Sequence, residues 1–188
     1  MKRIKSIVIS TALLVLGAVP ATSFAQVAFQ AADIQNFSDG TVTTGAMTLS
    51  RSAGSVQLRG SMAGLDKKTV YSVWWIIFNN PTGCVGGGDG VCTGADVYPG
   101  GPADAGVINA SGFVTGTDGT GYFVGELETG PAPSGMPCCF GQLNDSVSAE
   151  IHIVVQTHGP GVPGTFATEM TNPTGIDQFF AIFLSPAL

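Results

Sequence analysis

The sequence predicts an all-β protein, an antiparallel β-sandwich of eight or nine strands. Segments of five to ten residues alternate between apolar and polar side chains or run apolar throughout, and Gly, Pro, Asn or Asp separates them. Beyond residue 25 the chain is rich in Gly, Thr, Val and Phe and poor in Lys, Glu, Leu and Arg, a composition that disfavours helices. Short strands joined by frequent turns are typical of a sandwich.

The N-terminus reads as a secretory signal peptide, residues 1–25. Basic residues precede an apolar stretch, Ile7 to Val19, which at about 13 residues is shorter than the ~20 that span a bilayer. Small residues at Ser23 and Ala25 then favour cleavage after Ala25. The sequence therefore predicts one exported β-sandwich domain, residues 26–188, located in the periplasm or outside the cell, with no membrane span.

The predicted strands follow one another along the whole mature chain. Two Gly- and Pro-rich loops, 79–105 and 129–141, interrupt them, and Asp118-Gly119 predicts a hairpin with a type I′ turn. Residues 69–78 are apolar on both faces, as expected of a central strand in a two-layer core. The predicted strands are 27–37, 41–50, 55–62, 69–78, 106–117, 120–127, 147–157, 166–171 (an edge strand) and 176–184.

The negative net charge of the protein excludes some classes of binding partner. The formal net charge of −6 becomes −9 when Lys2, Arg3 and Lys5 leave with the signal peptide. No basic stripe for nucleic acid remains, and an acidic protein is repelled by an anionic membrane surface. Acidity suits a neutral or cationic partner, such as a glycan or a metal ion.

Both histidines lie in the segment EIHIVVQTHGP, where Glu150, His152 and His158 share one face of a strand. Glu150 and His152 are about 7 Å apart along the strand and could converge on zinc or copper, whereas His158 is roughly 20 Å from His152. Because two histidines and one carboxylate are few ligands, we favour a solvent-facing polar stripe, or histidines bonded to neighbouring loops, over a metal site.

Four cysteines in an exported chain imply disulfides rather than free thiols. They allow three pairings. Cys84–Cys92 with a vicinal Cys138–Cys139 bond is one of these, and the other two cross-link the two long loops. Neither a Cys-x-x-Cys motif nor a zinc-type spacing is present, so a structural role is favoured over redox chemistry.

Acidic residues among glycines raise the possibility of calcium, because hard oxygen ligands on flexible loops suit this ion. The sequence has no EF-hand pattern, and we favour ordinary turn residues. The residues concerned are Asp89, Asp96, Asp104 and Asp118.

Two further pairs of side chains have a chemical and a structural interpretation. Glu126 and Glu128 share a face, as paired glycosidase carboxylates would, but we favour solvent-facing residues of a strand. Trp74 and Trp75 point to opposite faces of one strand, so one fills the core. The other is expected under a loop rather than on an exposed sugar-binding platform.

Two motifs resemble those of a group of small exported bacterial proteins. They are YSVWWIIFNNP, Tyr71 to Pro81, and EIHIVVQTHGP, Glu150 to Pro160. That group shares VWW…FNNP, a following cysteine pair and EIHxVVxxHGP, and the resemblance covers about residues 55–184. It implies a disulfide between Cys84 and Cys92 and no particular activity.

A weaker similarity, to the chordin-type (CHRD) domain, rests on Gly64-Leu65, Thr69 and Tyr71. It implies an immunoglobulin-like or superoxide-dismutase-like β-sandwich. That domain carries a His-x-His strand where this chain reads Val73-Trp74-Trp75, so the resemblance implies a fold and a compartment rather than a metal site.

Taken together, these patterns predict a disulfide-stapled β-sandwich that binds a partner or has a surface-structural role and is not an enzyme. No Gly-x-Ser-x-Gly, His-Glu-x-x-His, P-loop or dinucleotide fingerprint is present. The long loops would contact a glycan or a cell-surface protein, because binding residues usually lie on loops held by a rigid scaffold. No cofactor is expected, and copper or zinc bound by His152 with Glu150 or His158 is the alternative.

Overall fold

The computed structural model describes residues 28–87, 91–131 and 140–186. These residues contain eleven β-strands, eight of them with five residues or more, and one short α-helix. The predicted signal peptide lies outside the described residues. The elements are β1 Ala28–Ala32, β2 Gln35–Asn36, β3 Gly45–Arg51, β4 Ser55–Met62, β5 Thr69–Phe78, β6 Ala105–Val114, β7 Gly121–Glu128, β8 Gly130–Pro131, β9 Gln142–Leu143, β10 Glu150–Pro160, α1 Phe166–Glu169 and β11 Ile176–Phe183.

The strands form two large antiparallel sheets and one small one. The first sheet has the order β1-β3-β4-β7, and the second has the order β2-β11-β10-β5-β6. A two-stranded sheet, β8-β9, lies beside them. The two large sheets contribute to one buried apolar cluster, so the predicted all-β antiparallel sandwich is confirmed.

The alternation of side chains along each strand builds this core. In β10 the residues Ile151, Ile153 and Val155 are fully buried, and in β4 Val56 and Leu58 face them from the other sheet. Trp75 of β5 is the largest fully buried side chain. The prediction that one of the two adjacent tryptophans fills the core is therefore confirmed, and this residue is Trp75.

The outer face of the five-stranded sheet is also apolar. A second buried cluster on this face joins Phe78 of β5 to Cys92, Ala103 and Ala105, with Ile76 packed at its margin. Residues that follow β5 in sequence therefore fold back over the sheet. The prediction that β5 is buried on both faces is correct, but its second cover is made of loops rather than of another sheet.

A buried arginine closes one end of the sandwich. Arg51 at the end of β3 has no exposed surface, and burial lowers its pKa to about 10, partly offset by the nearby Asp145. It remains charged at neutral pH, so its N–H groups need acceptors. It donates hydrogen bonds of 2.7–3.4 Å to the Gln30 side chain and to the backbone oxygens of Ser146, Ala149, Phe183 and Leu184.

The predicted hairpin at Asp118-Gly119 is wrong. β6 pairs with β5 and β7 pairs with β4, so residues 115–120 carry the chain from one sheet to the other. Gly119 has a φ of 71°, but Asp118 is not in the left-handed region that a type I′ turn requires. The Asp118 carboxylate instead accepts hydrogen bonds from the N–H and hydroxyl of Thr120, which stabilises a different turn.

The predicted edge strand at residues 166–171 is also wrong. Here the chain forms α1, in which the N–H of Glu169 bonds the carbonyl of Thr165 and that of Met170 bonds Phe166. Ala167, Glu169 and Met170 are good helix formers, which favours the helical turn over a strand here. The predicted strand 27–37 is likewise divided, because β1 belongs to one sheet and β2 to the other.

No helix within the described ranges combines the length and hydrophobicity that crossing a membrane would require.

Substitution of Gly60 in β4 tests how tightly the core is packed. A Cβ atom added there would overlap the ring of Phe123, which is buried and stacked on Phe113 with ring centroids 5.5 Å apart. We expect Gly60→Ala to lower the free energy of unfolding by about 1–3 kcal/mol, as overpacking does. Urea titration measures this change.

Gly54→Ala is the matched control, because a Cβ atom there meets nothing within 4 Å. Its free energy of unfolding should be unchanged or slightly higher. Equal stabilities of the two variants would contradict the packing described for β4 and β7.

Candidate functional site

The outer face of β10 is not the solvated stripe that its sequence suggested. Glu150, His152 and His158 share this face as predicted, but Glu150 is fully buried and the His152 side chain is only 12% exposed. Two segments cover the face. We call residues 84–87 and 91–97, at the Glu150 end, the disulfide loop, and residues 161–175, at the His158 end, the α1 segment.

The disulfide loop is held in shape from within. Cys84 and Cys92 form a disulfide with Cα atoms 5.1 Å apart, as the resemblance implied. The buried Asp96 carboxylate accepts hydrogen bonds of 2.8–3.2 Å from the N–H groups of Val85, Gly86 and Thr93, and these bonds lower the pKa of Asp96. Asp96 is thus a structural residue of the loop. Cys138, Cys139 and Asp89 lie outside the described residues.

A buried carboxylate attaches the disulfide loop to the sheet. Glu150 Oε1 accepts a 2.9 Å hydrogen bond from the N–H of Cys92 and lies 2.6 Å from His152 Nε2. Its other oxygen, Oε2, is buried and has no hydrogen-bond partner among the described residues. The His152 ring meets the Phe78 ring edge to face, with centroids 5.0 Å apart. These contacts fix the imidazole in one orientation.

A cleft of about 580 Å³ opens between the disulfide loop and the outer face of β10 and β11. Its floor and walls are mostly apolar, and two of its rings, Phe37 and Phe180, meet edge to face at 5.5 Å. Three residues, Thr93, His152 and Asp177, give it polar groups. Its remaining lining residues are Ile76, Phe78, Cys92, Gly94, Val97, Val154 and Ile182.

His158 belongs to a separate hydrogen-bond network under the α1 segment. Its Nε2 lies 2.8 Å from the hydroxyl of Ser72, which also accepts a 2.8 Å hydrogen bond from Trp74 Nε1. Trp74 is buried, and Asn109 beside it donates to the carbonyl of Met170 in the α1 segment. Trp74 therefore packs under a loop, as expected. Because Ser72 is fully buried, its contact with His158 is structural rather than nucleophilic.

The structure brings Glu150 and His152 together but leaves His158 apart from them. Within the described parts of the chain, no group of three or more His, Cys, Asp or Glu side chains could hold a metal ion together. The Glu150–His152 contact itself directs Nε2 at a protein oxygen. A copper or zinc site at these residues therefore stays a prediction.

The remaining acidic candidates lie away from the cleft. Glu126 and Glu128 are exposed on β7, and Glu126 accepts a hydrogen bond from Gln57 on the neighbouring strand. Asp104 accepts a hydrogen bond from Asn144. The carboxylates of Asp104 and Asp118 therefore both have structural hydrogen-bond partners.

The cleft was not predicted from the sequence, although one signal for it exists. Strand β11 reads IDQFFAIF, and its two adjacent phenylalanines must point to opposite faces. Phe179 packs on the core, and Phe180 lines the cleft with Ile182. β11 is thus a second strand, besides β5, that is apolar on both faces, and it pairs with β10. This pattern indicates that the outer face of the sheet is a partly covered apolar surface.

Compared with protein-family models, curated proteins and solved structures, the chain matches none of them.

His158 gives the fold a pH dependence that can be measured. Burial lowers its pKa below the usual 6.5, although the nearby Glu169 opposes this effect. The unfolded chain therefore takes up a proton at a higher pH than the folded protein does. We expect the stability contributed by neutral His158 to be complete above pH 6.5 and to be lost as the pH falls through the folded pKa.

Urea unfolding at pH 8 and at pH 5.5 measures this loss, and His158→Gln is the comparison because glutamine does not titrate. The wild type should lose more stability than His158→Gln over this interval. An equal loss in the two proteins would show that His158 has the same pKa folded and unfolded.

Proposed function

We propose that the protein is an exported, disulfide-stapled binding protein without catalytic activity, and that the cleft beside His152 holds a small ligand with an apolar ring. The observation that carries this proposal is the composition of the cleft, a mostly apolar lining with three polar residues, of which His152 is bonded to the buried Glu150. Small-molecule sites in proteins commonly have volumes of about 300–1,000 Å³ and this balance of apolar and polar groups.

The rigidity of the cleft supports binding. The disulfide loop forms one wall and is fixed by the Cys84–Cys92 bond, by Asp96 and by the link from Cys92 to Glu150. A wall fixed before the ligand arrives costs less conformational entropy when the ligand binds. The disulfide loop belongs to the long segment 79–105, which we expected to carry binding residues.

The chemistry of the lining favours binding over catalysis. The sulfur of Cys92 is in a disulfide, and the Glu150 carboxylate is buried behind His152 rather than presented to the cleft. Export is supported by the sequence of residues 1–25 and by the disulfide, because disulfides persist in oxidising compartments. The ring need not belong to a free small molecule. A glycan or a cell-surface protein that carries such a ring would fit the same cleft.

The fluorescent probe N-phenyl-1-naphthylamine tests the cleft, because its emission rises in an apolar site. We expect saturable binding of one probe per protein. Phe180→Ala removes a ring from the cleft lining and should weaken binding about fivefold, or ~1 kcal/mol, the value of one aromatic contact.

Phe29→Ala is the matched control, because Phe29 is 67% exposed on β1 of the other sheet. It should leave the affinity unchanged. Binding that does not saturate, or an equal loss in both variants, would contradict the proposal. Stoichiometric zinc or copper in protein purified from its native compartment would favour the metal alternative at His152.

A further inference from the structure

We infer that the ligand of the cleft carries a positively charged amine on its ring, so that the site selects small organic cations. This inference rests on the proposed function and names the class of ligand.

The distribution of charge is the first argument. After residue 25 the chain has four Lys and Arg residues, and none of them lines the cleft. Arg51 is buried at one end of the sandwich, Arg59 lies in β4 of the other sheet, and Lys67 and Lys68 precede β5. The cleft does contain the carboxylate of Asp177, and Glu150 lies behind His152. An anion would meet repulsion here without any fixed cation to offset it.

The buried carboxylate of Glu150 is the second argument. Its ion-pair partner is the His152 ring, no Lys or Arg lies beside it, and its Oε2 has no hydrogen-bond partner among the described residues. Both groups bonded to its Oε1, the Cys92 backbone and the His152 ring, belong to residues that line the cleft. A cation bound in the cleft would therefore lie near this carboxylate, whose negative charge favours it.

The hydrogen-bonding groups of the lining are the third argument. When His152 Nε2 donates to Glu150, Nδ1 of the neutral ring is an acceptor, and it forms no hydrogen bond with a described residue. The Asp177 carboxylate, whose Oδ1 accepts a 2.7 Å hydrogen bond from Gln156 Nε2, is a further acceptor in the lining with lone pairs left for a ligand. This set matches the N–H groups of an ammonium ion.

The aromatic lining is the fourth argument. Phe37, Phe78 and Phe180 all contribute to the cleft. The faces of phenylalanine rings attract cations, and this attraction increases when the site is partly desolvated. The same rings also pack against the apolar body of the ligand, so one surface recognises both parts of an aromatic amine.

Three probes with the same phenyl ring but different charges distinguish the effect of charge on affinity from the effect of apolar packing. Benzylamine is a cation at pH 7, benzyl alcohol is neutral, and benzoate is an anion. Each would displace N-phenyl-1-naphthylamine from the wild-type protein in a competition titration. We expect benzylamine to bind at least about fivefold more tightly than benzyl alcohol, and benzoate to bind most weakly, with added salt reducing the preference.

Asp177→Asn should reduce the preference for benzylamine over benzyl alcohol at least about threefold. Glu128→Gln removes an equal charge from exposed β7 and is the matched control, which should change neither affinity.

The outcomes separate this inference from the proposed function. Equal affinity for the three probes would overturn the selection of cations and leave the cleft as a binding site for rings. Tighter binding of benzoate would also overturn it, because the cleft would then select anions. Failure of every probe, including N-phenyl-1-naphthylamine, would overturn the proposed function itself.

Discussion

Trp74 and Trp75 are neighbours in β5 and both are buried, so the five-stranded sheet has to be covered on its two faces. The four-stranded sheet covers one face and forms the core. Among the described residues, the other face is covered by short segments, chiefly the disulfide loop and the α1 segment, with Ala103 beside Phe78. Neither segment is a sheet with an apolar face of its own, and an apolar cleft remains between the disulfide loop and the outer face of β10 and β11. The cleft is thus a consequence of how the sandwich buries β5.

Covering apolar strands with loops creates a second problem, because loops bring polar backbone groups into a buried place. The chain solves it locally. Asp96 accepts the loop's own N–H groups, and Glu150 accepts the N–H of Cys92. The disulfide holds these acceptors and donors in register. One consequence is that a buried carboxylate lies beside His152 at the floor of the cleft, so the groups that stabilise the loop also give the cleft its polarity.

Local patterns predicted the strands and their inward faces, because alternation along β4 and β10 depends only on neighbouring residues. They failed where distant contacts decide the conformation. Asp118-Gly119 has the composition of a hairpin turn, yet its flanking strands join different sheets. Glu150 looked solvent-facing because nothing in its own strand shows that Cys92, 58 residues away, folds over it. The cleft escaped prediction for the same reason, since it lies between a loop and strands that are distant in sequence.

The most direct test of the cleft is the site at which a ring-bearing ligand perturbs the protein. Methyl NMR spectra with and without benzylamine can compare side chains on opposite faces of the same strands. Ile76 and Val154 line the cleft, whereas Ile77 and Val155 lie in the core. Shifts confined to Ile76, Val154 and the neighbouring Ile182 are the result expected. Shifts at Val124 on the outer face of the other sheet, with the cleft methyl groups unchanged, would contradict the account.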